Sequence, residues 1–201
     1  MMLSIVAPAW SEGVDVTEET PWQESYRLEG LGKFERAIAP LNFVLLDSPD
    51  HEFALMRRAA LKYALGWFAD SILDYRKALE INPHSLETRH GIVRSLIAQQ
   101  RWREASVEAQ KIIQLSNWDY TAHLQIMICD EAQRKWTPLQ QRATQLAAHY
   151  PTDATALIYL ARAEAWLGDV PKANAAYARV LELFPVHAEA SNYINSNFIA
   201  K

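Results

Sequence analysis

A repeat of 34 residues constrains this chain more than any other feature of its sequence. Pro49, Pro83, Pro151 and Pro185 fall on one grid of that spacing, and Asn117 occupies the remaining node. A period of about 20 to 50 residues is typical of arrays in which each unit is one supersecondary element stacked on the next. The sequence therefore predicts five stacked repeats rather than one undivided core.

Three further columns of residues follow the same grid. An aromatic or large apolar residue stands inside each unit, a mostly small residue comes three positions later, and a turn residue comes just before. The columns are Phe34, Phe68, Trp102, Trp136 and Val170; Ala37, Ser71, Ala105, Leu139 and Ala173; and Gly32, Gly66, Gln100, Arg134 and Gly168. The three glycines can supply the positive φ angle that closes a helix at its carboxyl end. Each unit is therefore predicted to be a helix, a tight turn and a second helix that begins at the aromatic column.

Apolar residues within the units recur at spacings of three and four, as in Ile92, Val93, Leu96 and Ile97. This spacing places them on one face of a helix rather than a strand. A small residue allows two helices to approach closely, and a large apolar residue fills the space where the next helix crosses. The predicted fold class is therefore all-α.

The pattern resembles the tetratricopeptide-repeat family, most clearly in the turn from Gly66 to Ser71 and in the helix ending from Ala78 to Pro83. The resemblance covers about residues 21 to 187. It implies a right-handed α-solenoid of five helix-turn-helix repeats, followed by a capping helix at 188–201. The repeats are expected at 21–50, 51–84, 85–118, 119–152 and 153–187.

Charge and motif content argue against several classes of function. The formal net charge is −4, and charges of both signs are mixed along the chain, so no basic stripe predicts a nucleic-acid partner. Cys129 is the single cysteine, and no two histidines share the three- or four-residue spacing of metal ligands on one helix. No phosphate loop, dinucleotide loop or catalytic dyad is present in the sequence. We therefore predict a protein that is not an enzyme and that binds no cofactor or metal.

The resemblance also implies where a partner binds. In that family the first helix of each repeat lines the concave groove of the superhelix. The positions carried over are Trp22, Tyr26, Phe53, Met56, Tyr63, His90, Arg94, Ile97, Leu124, Ile128, Arg162 and Trp166. An apolar groove that contains arginines suits an amphipathic helix or an extended apolar segment that also presents an acid. The alternative is that several of these side chains belong to the core between repeats.

The amino-terminal segment, residues 1–20, has two interpretations. Its first nine residues are apolar and end in Ala7-Pro8-Ala9, like the end of a secretory signal, but they lack a basic region and are short for a signal core. The segment is then either a retained arm of a cytoplasmic protein or the remnant of a signal in an exported, periplasmic one. A retained arm could occupy the chain's own groove or that of a second copy, which would make a homo-oligomer.

The sequence thus predicts an adaptor or scaffold that binds a peptide or helix of another protein in the concave groove. The alternative is a self-assembling or envelope-complex scaffold that uses the amino-terminal arm or the convex face. No stretch approaches the roughly 20 uncharged apolar residues of a membrane span.

Overall fold

The computed structural model describes residues 19–199, with side chains described as far as Ser196. These residues form eleven α-helices and contain no strand. The helices are α1 (Pro21–Gly30), α2 (Phe34–Asp47), α3 (Glu52–Ala64), α4 (Phe68–Ile81), α5 (Leu86–Ala98), α6 (Trp102–Leu115), α7 (Tyr120–Ala132), α8 (Trp136–His149), α9 (Ala154–Leu167), α10 (Val170–Leu183) and α11 (Ala188–Ile199). The prediction of an all-α helical repeat is confirmed.

The odd-numbered helices α1 to α9, called the first helices below, begin at capped residues. The side chains of Thr20, His51, Ser85, Asp119 and Asp153 each accept a hydrogen bond from a backbone N–H of the following turn. Such a bond satisfies one of the amides that a helix leaves without an internal partner. The cap fixes where each first helix starts.

The even-numbered helices α2 to α10, called the second helices, each follow a turn with a positive φ angle. The angle is 70° at Gly32, 78° at Gly66 and 84° at Gly168, as the glycines predicted, but it is also 59° at Gln100 and 55° at Arg134. Each second helix then begins at its member of the aromatic or large apolar column, from Phe34 in α2 to Val170 in α10. The turn and the column therefore keep the same register through all five helix pairs.

The column of mostly small residues is buried where the helices pack together. Ala37, Ser71, Ala105, Leu139 and Ala173 are each completely buried. The largest core cluster extends from Ala59 in α3 to Cys129 in α7, so neighbouring helix pairs share one apolar interior. Burial of a side chain such as Ile112 in this cluster stabilises the fold by roughly 1.5 to 3 kcal/mol.

Consecutive helices pack against each other along the whole array, and α3, α5, α7 and α9 also contact one another in series. The first helices thus form a continuous surface, which we call the first-helix surface. At the carboxyl end, α11 packs on α10 through Ala190, Tyr193 and Ile194. None of the described helices is long and apolar enough to cross a membrane.

Two helix pairs bury charges at equivalent positions with opposite signs. In the pair α3–α4, Lys62 Nζ lies 2.7 Å from Asp74, and Nε and Nη2 of Arg58 donate to the two oxygens of Asp74 at 2.8 and 2.7 Å. Two repeats later Asp130 takes the place of Lys62, and Arg142 takes the place of Asp74. Burial raises the pKa of Asp130, and the charge of Arg142 partly opposes that rise.

Candidate protein-binding surface

The twelve residues predicted to line the groove divide into three groups in the structure. The first group is exposed and consists of Tyr26 (52% accessible), Phe53 (47%), Trp166 (65%) and Arg94. Trp22, Met56, Ile97 and Leu124 are half-buried against core clusters. The third group is also half-buried but does not belong to the described core clusters, and it consists of Tyr63, His90, Ile128 and Arg162. The first-helix surface is therefore a mixture of side chains open to a partner and side chains shared with the core.

Aromatic side chains from α1 and α3 meet at the amino-terminal end of this surface. The ring of Trp22 lies 5.3 Å from that of Phe53 and 5.1 Å from that of His51, measured between centroids. The guanidinium of Arg57 lies 3.4 Å from the centre of the Tyr26 ring, and it also binds Ser25 and Glu29. Sequence reasoning did not include Arg57, which fixes the Tyr26 ring through a cation–π contact.

Arg94 occupies the middle of the surface. Its guanidinium lies 5.6 Å from the centre of the Tyr63 ring. The centres of the Tyr63 and Phe68 rings are 5.4 Å apart. Within residues 19–199 no carboxylate forms a salt bridge with Arg94. Its exposed charge is consequently available to an acidic group of another molecule.

His90, one helical turn before Arg94, is held by two neighbours on the next helix pair. One ring nitrogen lies 3.1 Å from Gln125 Oε1, and the other lies 3.2 Å from Asp119 Oδ2. With both nitrogens engaged inside the chain, His90 contributes to the packing of α5 on α7 more than to an open binding surface.

Arg162 is held between two carboxylates at the carboxyl-terminal end. Its Nε and Nη2 donate to Glu189 Oε1 and Oε2 at 2.8 and 2.6 Å, and its Nη1 donates to Glu131 Oε1 at 3.1 Å. The hydroxyl of Tyr177 donates a further hydrogen bond of 2.8 Å to Glu189. The bonds from Arg162 lower the pKa of Glu189, so this carboxylate is ionised at neutral pH.

A cavity of about 430 Å³ opens beside this ion-pair network. It is lined by Glu131, Arg162, Ala165, Trp166, Tyr177, Glu189 and Tyr193. The indole of Trp166 stacks in parallel on that of Trp136, with centroids 5.0 Å apart and planes 3° apart. The stacked indoles of Trp136 and Trp166 therefore lie beside the charged side chains of Glu131, Arg162 and Glu189.

Glu131 and Glu189 are the charged residues of this end that sequence reasoning missed. For Glu131 a signal was present, because it belongs to the same 34-residue column as Tyr63 and Ile97, both of which were predicted to line the groove. Glu189 carries no such signal, since it follows the last predicted repeat and reaches Arg162 only because α11 packs beside α9 and α10.

The described residues include neither a group of metal ligands nor an activated thiol. Among residues 19–196, no three histidine, cysteine or carboxylate side chains are grouped as metal ligands. Burial raises the pKa of the Cys129 thiol to about 12, so the thiolate that a nucleophile requires is not formed near neutral pH.

No protein-family model matches the sequence, and no curated protein matches it. Solved structures, however, share its architecture. MamA superimposes with a TM-score of 0.74 at 16% identity, covering 79% of this chain and 93% of MamA. YrrB, described as a TPR protein with an unusual peptide-binding site, gives 0.73 at 16% identity over 86% of this chain and 89% of its own.

PilW, described as a widely conserved type IV pilus biogenesis factor, gives a TM-score of 0.67 at 19% identity, with 90% of this chain and 91% of PilW covered. Identities this low establish architecture and leave partners and activities open. Together with the helix pairs, the positive-φ turns and the buried small column, these matches show that the chain has the tetratricopeptide-repeat fold.

Proposed function

We propose that this protein is a non-catalytic adaptor or scaffold that binds a peptide or helix of another protein along the first-helix surface. The observation that carries the proposal is the exposure of Tyr26, Phe53 and Trp166 on the same surface as Arg94, whose exposed guanidinium forms no salt bridge with the part of the chain that the structure describes. Aromatic residues and arginine are the residue types that dominate binding energy at protein interfaces.

The central part of the surface suits an acidic group flanked by apolar ones. Arg94 lies against Tyr63, and the neighbouring half-buried residues Ile97 and Ile128 are apolar. A carboxylate of the partner would form a charge-assisted hydrogen bond with the guanidinium, while apolar side chains would cover the flanking residues. Large exposed aromatic residues add buried area at a small cost in side-chain entropy.

The solved structures support this type of function without identifying the partner. YrrB is described as having an unusual peptide-binding site, and it shares the fold over 86% of this chain. An array of stacked repeats offers an extended surface of the length that a peptide or a helix requires.

Affinity capture from a lysate of the parent organism tests the proposal. The intact chain is compared with a Tyr63→Ala, Arg94→Ala double variant, and bound proteins are identified by mass spectrometry. Arg103→Ala is the matched control, since Arg103 is an exposed arginine on the second helix α6 and forms no salt bridge with the described residues. Circular dichroism verifies that all variants remain folded.

A partner retained by the intact chain and by Arg103→Ala, but lost from the double variant, supports binding at the first-helix surface. The purified partner should then bind the double variant at least about tenfold more weakly, as expected when hot-spot residues are removed. Equal retention by all three chains, or no retention by any, refutes the proposed surface.

Self-assembly is a second candidate, favoured by apolar side chains on the second helices. Phe43 and Leu46 in α2 are 70% and 81% exposed, and Leu73 in α4 and Val107 in α6, which lie one repeat apart, are also exposed. Large apolar side chains that are exposed close to one another commonly mark protein contacts. The predicted assembly through the amino-terminal arm concerns residues 1–20, of which 1–18 lie outside the described part of the chain.

Sedimentation velocity over a range of concentrations tests this second candidate. Association that is lost in Phe43→Lys, Leu46→Lys assigns it to the second helices, whereas association lost only on deletion of residues 1–10 assigns it to the arm. A single monomeric species at all concentrations refutes both forms of self-assembly.

A further inference from the structure

The cavity between α7, α9, α10 and α11 was expected to be positive because of Arg162, but its described lining is negative. The sequence suggested that Arg162, like Arg94, would meet an acid of the partner. In the structure the Nε, Nη1 and Nη2 atoms of Arg162 all donate to Glu131 or Glu189. An incoming carboxylate would have to displace one of these bonds and would meet two like charges.

The described lining residues instead carry a net charge of about −1, because two carboxylates face a single guanidinium. Glu189 accepts three hydrogen bonds, two from Arg162 and one from Tyr177, out of the roughly four that a carboxylate can accept. Glu131 is bound less tightly, through Arg162 Nη1 alone, at 3.1 and 3.5 Å from its two oxygens. Glu131 therefore has the greater capacity for another donor.

The indole of Trp166 lines the same cavity as the carboxylate of Glu131. One face of the Trp166 indole is covered by Trp136, yet 65% of Trp166 remains exposed, so its other face is open. A planar cation can stack on an indole face and at the same time donate hydrogen bonds to a carboxylate. A guanidinium meets both requirements, whereas the ammonium of lysine lacks the planar surface.

We propose that this cavity binds an arginine side chain of the protein partner, with Glu131 accepting its hydrogen bonds and Trp166 stacking on its guanidinium. This inference rests on the proposed function and adds a chemical requirement to the partner. Its volume of about 430 Å³ is sufficient for one long side chain.

The proposal also orients the partner. Arg94 on α5 attracts an acid, and the cavity beside α9 attracts a base, with α7 lying between these helices. The arginine site is formed by Glu131 on α7 and Trp166 on α9, and packed helices lie about 8 to 10 Å apart, so the two sites are separated by one to two helix spacings, roughly 8 to 20 Å. An extended chain covers this distance in about three to six residues. The preferred ligand therefore carries an acid and an arginine at about that spacing.

The experiment uses the full chain and a small probe, N-acetyl-arginine N-methylamide, observed through the indole N–H resonances of Trp166 and Trp136. These resonances are assigned with Trp166→Phe and Trp136→Phe variants. The comparison probe is N-acetyl-citrulline N-methylamide, which has nearly the same shape without the charge. A dissociation constant in the millimolar range is expected for a ligand of this size.

We expect the arginine probe to shift the Trp166 resonance in a saturable manner and the citrulline probe to bind roughly tenfold more weakly or not at all. Glu131→Gln should remove the difference between the two probes. Glu87→Gln should retain it, because Glu87 is an exposed glutamate of α5 and does not line the cavity. Equal shifts from both probes, no shift from either, or an unaltered preference in Glu131→Gln would overturn the proposal.

This outcome is independent of the capture experiment. A partner that depends on Tyr63 and Arg94 but contains no arginine needed for binding would leave the proposed function standing and remove the arginine site. Conversely, arginine binding in the cavity of a chain that captures no partner would retain the site and refute the adaptor.

Discussion

Replacing Gln100 and Arg134 with glycine should stabilise the protein. Both residues have positive φ angles, 59° and 55°, at turns where the other three repeats place glycine. The turn geometry is the same in each case, with Arg101 N donating to Leu96 O at 2.9 Å and Lys135 N donating to Asp130 O at 2.8 Å, as Trp67 N donates to Lys62 O at 2.8 Å. These are the 6→1 bonds that close a helix in a Schellman motif.

The expected magnitude follows from two opposing effects. A residue with a Cβ in the left-handed region is disfavoured by roughly 1 to 2 kcal/mol, and glycine removes this strain. Glycine also increases the entropy of the unfolded chain, which costs about 0.4 to 1 kcal/mol. Each substitution should therefore raise the free energy of unfolding by about 0.5 to 1 kcal/mol. Both side chains are exposed and form no hydrogen bond with the described residues, so little else is lost.

Urea unfolding followed by circular dichroism measures this change. The two sites are separate, so the double variant should gain the sum, about 1 to 2 kcal/mol, and its Tm should rise by roughly 2 to 4 °C per kcal/mol. Gln100→Ala and Arg134→Ala are the controls, because alanine retains the strained Cβ and should give no comparable gain. The reasoning is wrong if the glycine variants are no more stable than the alanine variants.

Three other substitutions or treatments test the packing and the electrostatics. A Cβ added at Gly91 would overlap the Tyr75 ring, so Gly91→Ala should destabilise the fold by about 1 to 3 kcal/mol in urea unfolding, and Tyr75→Leu in the same chain should recover part of the loss. Cys129 is fully buried and its pKa is raised to about 12, so a thiol reagent should label it only after denaturation; labelling of the native chain at the same rate would contradict this. The pKa of Glu189 is lowered on folding, so its ionised form stabilises the native state above the unfolded pKa of about 4.3. The stability advantage of the native sequence over Glu189→Gln should therefore disappear as the pH falls through the lower, folded pKa, and a difference independent of pH would contradict the assignment.

The fold could be predicted from the sequence because its determinants are local and periodic. Each turn residue and each aromatic residue acts within its own helix pair, and five copies in one register reinforce the same pattern. Gln100 and Arg134 show the limit of this reasoning, since the turn imposes a positive φ even where the residue type does not favour it.

The binding surface was less predictable because its character depends on partners from distant parts of the chain. Arg162 meets Glu131, 31 residues earlier, and Glu189, 27 residues later. A repeat register identifies which positions face the same way, but it does not show which charges are already paired. Arg94 and Arg162 look equivalent in the sequence, whereas in the structure Arg162 is held by two carboxylates and Arg94 forms no salt bridge with the described residues.

The reversed charges of the second and fourth helix pairs bear on how the chain avoids misassembly. Repeats of equal length and similar packing could pair with the wrong neighbour during folding. A displacement of two repeats that placed α3 against α8 would bring Lys62 towards Arg142, and the matching exchange of α7 onto α4 would bring Asp130 towards Asp74. Both contacts would bury like charges, which is strongly unfavourable in a nonpolar interior. The reversed charges therefore disfavour pairing of α3 with α8 and of α7 with α4, in addition to the stabilisation that Asp74 gives the native pair through Arg58 and Lys62.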